Sequence, residues 1–188
     1  TGTLTDNDNA LLLLSAISAT LGEAGSSTSA GVTRLTSDLS NAITVTLSTS
    51  NANEAAPTPA SVVIPVNQSS ASFDIVAVDE VIDDGDQIVV ITATTDTANY
   101  NNGNLTITVV DNDTAGFTIA ETDGNTTVVE GSAIQDSFTV VLNTEPVSDV
   151  VLMINSNDTD EVSVTPATLT FTPSNWNVVQ TVMVNGVD

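Results

Sequence analysis

Leu105-Thr106-Ile107-Thr108-Val109-Val110-Asp111-Asn112-Asp113 alternates aliphatic and hydroxyl side chains and then breaks into an acidic turn. A period of two places Leu105, Ile107 and Val109 on one face of a strand and the threonines on the other. The same signature stands near the start of the chain, where Thr3-Leu4-Thr5 runs into Asp6-Asn7-Asp8. About 105 residues separate the two copies, a spacing that suits one sandwich of roughly seven strands. A related segment, Val182-Met183-Val184-Asn185-Gly186-Val187-Asp188, closes the sequence. Repetition at this interval predicts tandem all-β repeats.

Working outward, Ile43-Thr44-Val45-Thr46-Leu47 and Thr168-Leu169-Thr170-Phe171-Thr172 show the same alternation. Further strands are expected at 10–18, 30–36, 61–66, 71–78 and 87–95 in one repeat, and at 115–121, 136–142, 149–155 and 177–185 in the next. Turn-rich clusters separate them, among them Gly22–Ser27, Asn51–Glu54 and Asn99–Asn104. No stretch carries a helical period; the loop at 37–41 has room for one turn at most. Residues 1–8 read as the terminal strand of a preceding repeat, 9–113 as a complete sandwich, and 114–188 as a second sandwich lacking its last two strands. With no initiator Met ahead of Thr1, the chain is expected to be a mature protein or a piece of a longer one.

Composition agrees with a sheet protein. Hydrophobic residues make up 40% of the chain but aromatics only 3%, so the core must be built from Val, Ile, Leu and Ala. Arg34 is the single cation against 24 acidic residues, giving a formal charge of −23. Such a polyanion repels nucleic acid and anionic membrane surfaces, and the apolar run Ala10–Leu14 is too short to span a bilayer. Cysteine and histidine are absent, which removes disulfides, thiolate chemistry and the commonest general base. Paired carboxylates remain chemically able to hydrolyse a glycoside. They fall in turns with no sign of a substrate cleft, so the chain is read as not an enzyme.

In the first repeat those turns hold Glu23, Glu54, Asp79-Glu80-Val81-Ile82-Asp83-Asp84-Gly85-Asp86 and Asp111-Asn112-Asp113. Calcium takes six to eight oxygens from carboxylates, carbonyls and water, and acidic loops at one end of a sandwich supply such a shell. Asp83-Asp84-Gly85-Asp86 lacks the twelve-residue pattern and terminal Glu of an EF-hand, which is excluded.

Several motifs, taken in order, resemble one family. They are Leu21-Gly22-Glu23-Ala24-Gly25, Val32-Thr33-Arg34, Ile43–Leu47, Val63–Phe73, Val78-Asp79-Glu80 with Asp84-Gly85-Asp86, and Val110–Asp113. Residues 10–113 are similar to a Calx-beta domain, the module of sodium–calcium exchanger regulatory regions and many bacterial surface proteins. Residues 115–188 resemble a related bacterial surface repeat through Val129-Glu130-Gly131, Val164–Phe171 and Asn175-Trp176-Asn177.

The resemblance implies tandem immunoglobulin-like antiparallel β-sandwiches, the second incomplete. It also implies Ca2+ held by Glu23, Asp79, Glu80, Asp83, Asp84, Asp86, Asp111 and Asp113, with Glu54 ranked behind them. Asn112 stands where the family has an aspartate. In the second repeat Glu130 corresponds to Glu23, accompanied by Asp158, Asp160, Glu161 and Asp188, which amounts to half a site.

The expected function is a calcium-rigidified repeat of an extracellular or cell-surface adhesin, sheath or filament. Its expected partners are neighbouring repeats or subunits of the same protein and a cell-surface or matrix ligand, with no nucleic acid and no membrane insertion. The alternatives are a carbohydrate- or ligand-binding surface module, which the scarcity of aromatics disfavours, and a subunit that polymerises by β-strand addition.

Overall fold

The computed structural model describes residues 9–132 and 134–188; the strand expected within Thr1–Asp8 lies outside the described residues. The chain divides into two units. The first runs to Glu80 and resumes over Asp84–Asn112; the second comprises Val81–Asp83 and Asp113–Asp188. Strand dominates both units. Among the described residues the one helical element is a 3-10 turn at Thr122–Gly124, and no helix is long and apolar enough to cross a membrane.

The first unit contains β1 (Ala10–Ala16), β2 (Thr20–Gly22), β3 (Ser27–Leu35), β4 (Ile43–Thr49), β5 (Ala55–Thr58), β6 (Ser61–Ile64), β7 (Ser70–Ala77), β8 (Gln87–Thr94), β9 (Tyr100–Asn101) and β10 (Gly103–Val110). They form two five-stranded sheets, ordered β5-β7-β3-β1-β9 and β2-β10-β8-β4-β6. The alternation read from the sequence orients them. In β4 the side chains of Ile43, Val45 and Leu47 are buried and the threonines between them are exposed. The inward residues of both sheets form one aliphatic cluster that includes Leu12, Leu14, Val32, Val45, Phe73, Ile75, Val89, Ile91, Ile107 and Val109. This is a sandwich with a core between its sheets.

Two local features follow from backbone chemistry. β5 carries Pro57 and occupies an edge of its sheet, where a missing N–H breaks no ladder. β10 begins at Gly103, where a Cβ would fall 2.2 Å from the carbonyl oxygen of Leu12; only glycine lets the strand pass so close to β1.

The second unit contains β11 (Phe117–Glu121), β12 (Gln135–Leu142), β13 (Val150–Met153), β14 (Val162–Thr165), β15 (Thr168–Phe171) and β16 (Gln180–Gly186). One sheet has the order β11-β12-β16-β14 and the other pairs β13 with β15. Its core is small: Val140, Leu142, Leu169, Phe171 and Val182, with Trp176 packed against them.

Arg34, the chain's only cation, is buried near the end of β3. Its guanidinium donates to backbone carbonyls: Nε to Gln68 at 2.9 Å, Nη1 to Asn41 at 2.6 Å, and Nη2 to Gln68 at 2.7 Å and Pro65 at 3.0 Å. One planar fork thus ties the β3–β4 connection to the β6–β7 connection. A lysine ammonium has three donors on a flexible stem and cannot reproduce the fork. Arg34→Lys is expected to cost about 2 kcal/mol, the scale of a pair of lost charge-assisted hydrogen bonds. In urea this appears as a lower midpoint at unchanged slope; an unchanged midpoint would mean that water serves those carbonyls equally well.

Candidate metal centre

The strand register gathers the acidic loops of the first unit at one pole. β2 ends beside the end of β10, with Val110 opposite Gly22. β8 starts there, Gln87 facing Val109. β5 starts opposite the end of β7, Ala55 facing Ala77, and Ser27 at the start of β3 faces Val76. The loops that carry Glu23, Glu54, Glu80, Asp84 and Asp111 therefore leave or enter the sandwich at this end, whereas Asp38 and Asp96 lie on the β3–β4 and β8–β9 connections.

Glu23 follows β2 directly and is 2% exposed; Glu54 precedes β5 directly and is 4% exposed. Burial of ionisable side chains to this degree requires a compensating partner. Glu54, Glu80 and Asp84 each present a carboxylate oxygen within 4.8 Å of the others, and Glu23 and Asp111 approach one another as closely. Two oxygens bound at about 2.4 Å to one ion lie no further apart than about 4.8 Å, so each group has the span of a coordination shell. Glu80 Oε1 is buried without a hydrogen-bond partner. An acceptor left unsatisfied among carboxylates could serve a metal ion as a ligand.

The remaining expected ligands are placed as follows. Asp79 is exposed on the loop after β7, and its Oδ1 accepts from the Asn112 side-chain amide at 3.1 Å. Asp86 Oδ1 accepts the Asp111 amide N–H at 3.3 Å, and Asp111 Oδ2 accepts that of Gly85 at 2.7 Å. These bonds tie the end of β10 to the turn that leads into β8. Asp83 belongs to the second unit, where its Oδ2 accepts the Ala115 N–H at 2.6 Å; it stands outside both carboxylate groups. Asp113 is the first residue of the second unit's longer segment.

Asn112 acts as a donor, through its side chain to Asp79 and through its backbone N–H to Glu23 Oε2 at 3.4 Å. Glu54 is the residue that sequence reasoning ranked too low. Its signal is positional: like Glu23, it is a lone acid at the junction of a turn cluster and a strand.

Burial holds the Glu54 carboxyl above the ordinary value, and the Asp84, Glu23 and Asp111 charges push in the same direction. Glu80 is raised in the same way, first by burial and then by Glu54, Asp84, Glu23 and Asp111. Carboxylates that crowd one another favour protonation unless a cation intervenes. The donor set is all oxygen and the chain has no His or Cys, a chemistry that suits Ca2+ or Mg2+ and not Zn2+ or Cu2+.

No family model matches the chain, and no curated protein does. Among solved structures it is similar to CBD12 from CALX1.2, at 15% identity over 93% of this chain and 75% of that one, with a TM-score of 0.42. The apo-form Calx CBD1 domain aligns at 14% identity over 56% of this chain and 100% of that one, TM-score 0.43. The calcium binding domain CBD12 of CALX1.1 aligns at 17% identity over 90% and 72%, TM-score 0.39.

Without added cation, the raised carboxyls make stability fall as pH rises. Between the ordinary Glu value of 4.5 and their folded values, the folded state keeps protons that the unfolded chain has released. Asp38, held below 3.8 by hydrogen bonds from Ser40, and Asp136, held below it by the N–H groups of Thr127 and Ser137, stay ionised throughout this window. Glu54→Gln removes one buried like charge. In chelator it is expected to raise the melting temperature at pH 7 by about 2–4 °C, the shift worth about 1 kcal/mol in a chain of this size, and to flatten the pH dependence. A variant that melts lower than the parent at pH 7 in chelator would show that Glu54 is not held against like charge.

Proposed function

We propose that this chain is a calcium-binding structural module, a repeat of an extracellular adhesin, sheath or filament in which the cation stiffens the passage from one unit to the next. The observation that carries the reading is the Glu54–Glu80–Asp84 group, with Glu54 buried and Glu80 Oε1 unsatisfied. These three residues would hold one ion, and Glu23 and Asp111 would contribute to a second. What the ion supplies is charge neutralisation and bridging between loops that otherwise repel. The reading involves binding and structure, with no catalytic step.

The link to stiffness is the position of Asp111-Asn112-Asp113, where the chain leaves the first unit and enters the second. Fixing Asp111 to the acidic pole restrains that segment. An extracellular setting suits a site of this kind, since extracellular modules bind calcium at about 0.1–1 mM and the charge of −23 promotes electrostatic attraction of divalent ions.

Calcium is expected to stabilise the first unit by linkage, about 1.4 kcal/mol per site at ten times Kd. Thermal melting in millimolar Ca2+ should therefore show a higher midpoint that chelator reverses. Mg2+, which needs a near-octahedral shell and sheds water reluctantly, should do less. Glu54→Gln with Asp84→Asn should remove the part of the calcium response that the Glu54–Glu80–Asp84 site supplies, about 1.4 kcal/mol at ten times Kd, while leaving the chelated protein folded. Small-angle scattering in calcium and in chelator tests the stiffening. A melting midpoint indifferent to calcium would sink the binding reading; a calcium-dependent midpoint with unchanged scattering would sink only the stiffening.

A further inference from the structure

The two units share a strand plan. Leu47 N–H donates to Ala60 O as Ile154 N–H donates to Ala167 O, and Val78 N–H donates to Glu54 O as Val187 N–H donates to Glu161 O. With the ladders β1–β3–β7 and β11–β12–β16 in the same order, β11 corresponds to β1, β13 to β4 and β15 to β6. By that register Phe117 takes the place of Leu12 and Ile119 that of Leu14. Leu12 and Leu14 are 1% and 5% exposed; Phe117 and Ile119 are 51% and 54% exposed.

The same inward positions on the facing sheet behave alike. Val45 and Leu47 are buried in β4, whereas their counterparts Leu152 and Ile154 are half-buried. Between the two sheets of the second unit runs a groove of about 430 Å³ lined by Phe117, Ile119, Phe138, Leu152 and Ile154.

The first unit shows what covers such a face. β8 and β10 pair antiparallel from Gly103 opposite Ala93 to Val109 opposite Gln87. β8 pairs with the free edge of β4 at Thr46–Thr49, and both strands pack against β1. Their inward residues Val89, Ile91, Ala93, Ile107 and Val109 are fully buried. Among the described residues the second unit has no such pair of strands, and β13 pairs with β15 alone.

We propose that this groove is a docking site for a β-hairpin that is not among the described residues of the second unit. The occupant is a pair of antiparallel strands with aliphatic β-branched residues alternating on one face and threonine on the other. One strand adds to the edge of β13 and the second lies over β11. Backbone pairing along β13 sets the register, and the alternate aliphatic side chains fill the space above Phe117 and Ile119. An exposed apolar face bordering an open strand edge is otherwise an invitation to aggregate.

The hairpin Gln87–Val110 of this chain, as a synthetic peptide, is the probe. It stops short of Asp111 and of the Glu80–Asp84 turn, so its docking does not depend on calcium, and its failure would leave the calcium reading untouched. Added to the full chain, the peptide is expected to bind saturably. It should slow hydrogen exchange about tenfold or more at Met153 and Asn155, whose N–H groups face the open edge because that of Ile154 faces β15. Ile119→Asp, at a position already half in solvent, should fold normally and lose the binding. Ile17→Asp, at an exposed position of the first unit, should keep it.

Three results would overturn the proposal. One is unchanged exchange at high peptide concentration. Another is equal protection in the Ile119→Asp chain. The third is a chain that, alone, self-associates with Met153 and Asn155 already protected, which would make a second copy the occupant.

Discussion

Strand β10 does three things at once, and most of the first unit depends on its pairing with β8. It buries Ile107 and Val109 in the core. It supplies the parallel partner for Thr20–Gly22, too short a segment to persist as a strand alone. Its end then carries Asp111 to the pole where Glu23 and the Glu80–Asp84 turn lie, held there by the bonds from Gly85 and to Asp86. In the second unit, where no counterpart is present among the described residues, all three consequences disappear together. Phe117 and Ile119 are exposed, residues 125–129 are not strand, and no carboxylate group spanning a coordination shell forms within that unit.

Charge is arranged in the first unit with the same economy. The one cation is spent on backbone carbonyls near the end of β3, where it neutralises no buried acid. At the other end Glu54, Glu80 and Asp84 crowd together. Glu54, buried beside Glu80 and Asp84, meets a repulsion that a proton or a bound cation relieves. The aliphatic core makes that arrangement possible, because side chains with no polar atoms pack without demanding partners of their own.

Much of the fold was legible because period-two alternation survives in β4, β10 and β15, where threonine separates aliphatic residues. The strands not expected from the sequence are β14, a four-residue strand paired antiparallel with β16, and three whose existence depends on a neighbour or an edge. β2 and β9 are three and two residues long and are strands only by parallel pairing with β10 and β1. β5 begins inside what reads as a turn cluster and contains a proline. The site was legible as a set of loops but not as a set of contacts. Asp79, Asp83 and Asp86 look like ligands by composition. In the structure they accept hydrogen bonds from Asn112, Ala115 and Asp111, as Asp111 does from Gly85, and no local sequence rule says which acids brace a loop and which gather into a carboxylate group.

Glu54 and Glu161 show why that distinction is non-local. Each accepts, through its backbone carbonyl, the N–H of the valine that follows the corresponding strand, so their places in the two units match. Yet Glu54 is buried and Glu161 is exposed. The residue type and the backbone position are the same, and what differs is the presence of the Glu80 and Asp84 carboxylates beside the side chain. The burial of Glu54 is thus set by its neighbours and not by its place on the backbone. A glutamate in water keeps its hydration and has little to gain from a divalent ion, whereas one stripped of water beside two other carboxylates has lost its solvent and met repulsion. Glu161, with no such carboxylates gathered on it among the described residues, remains ordinary surface charge.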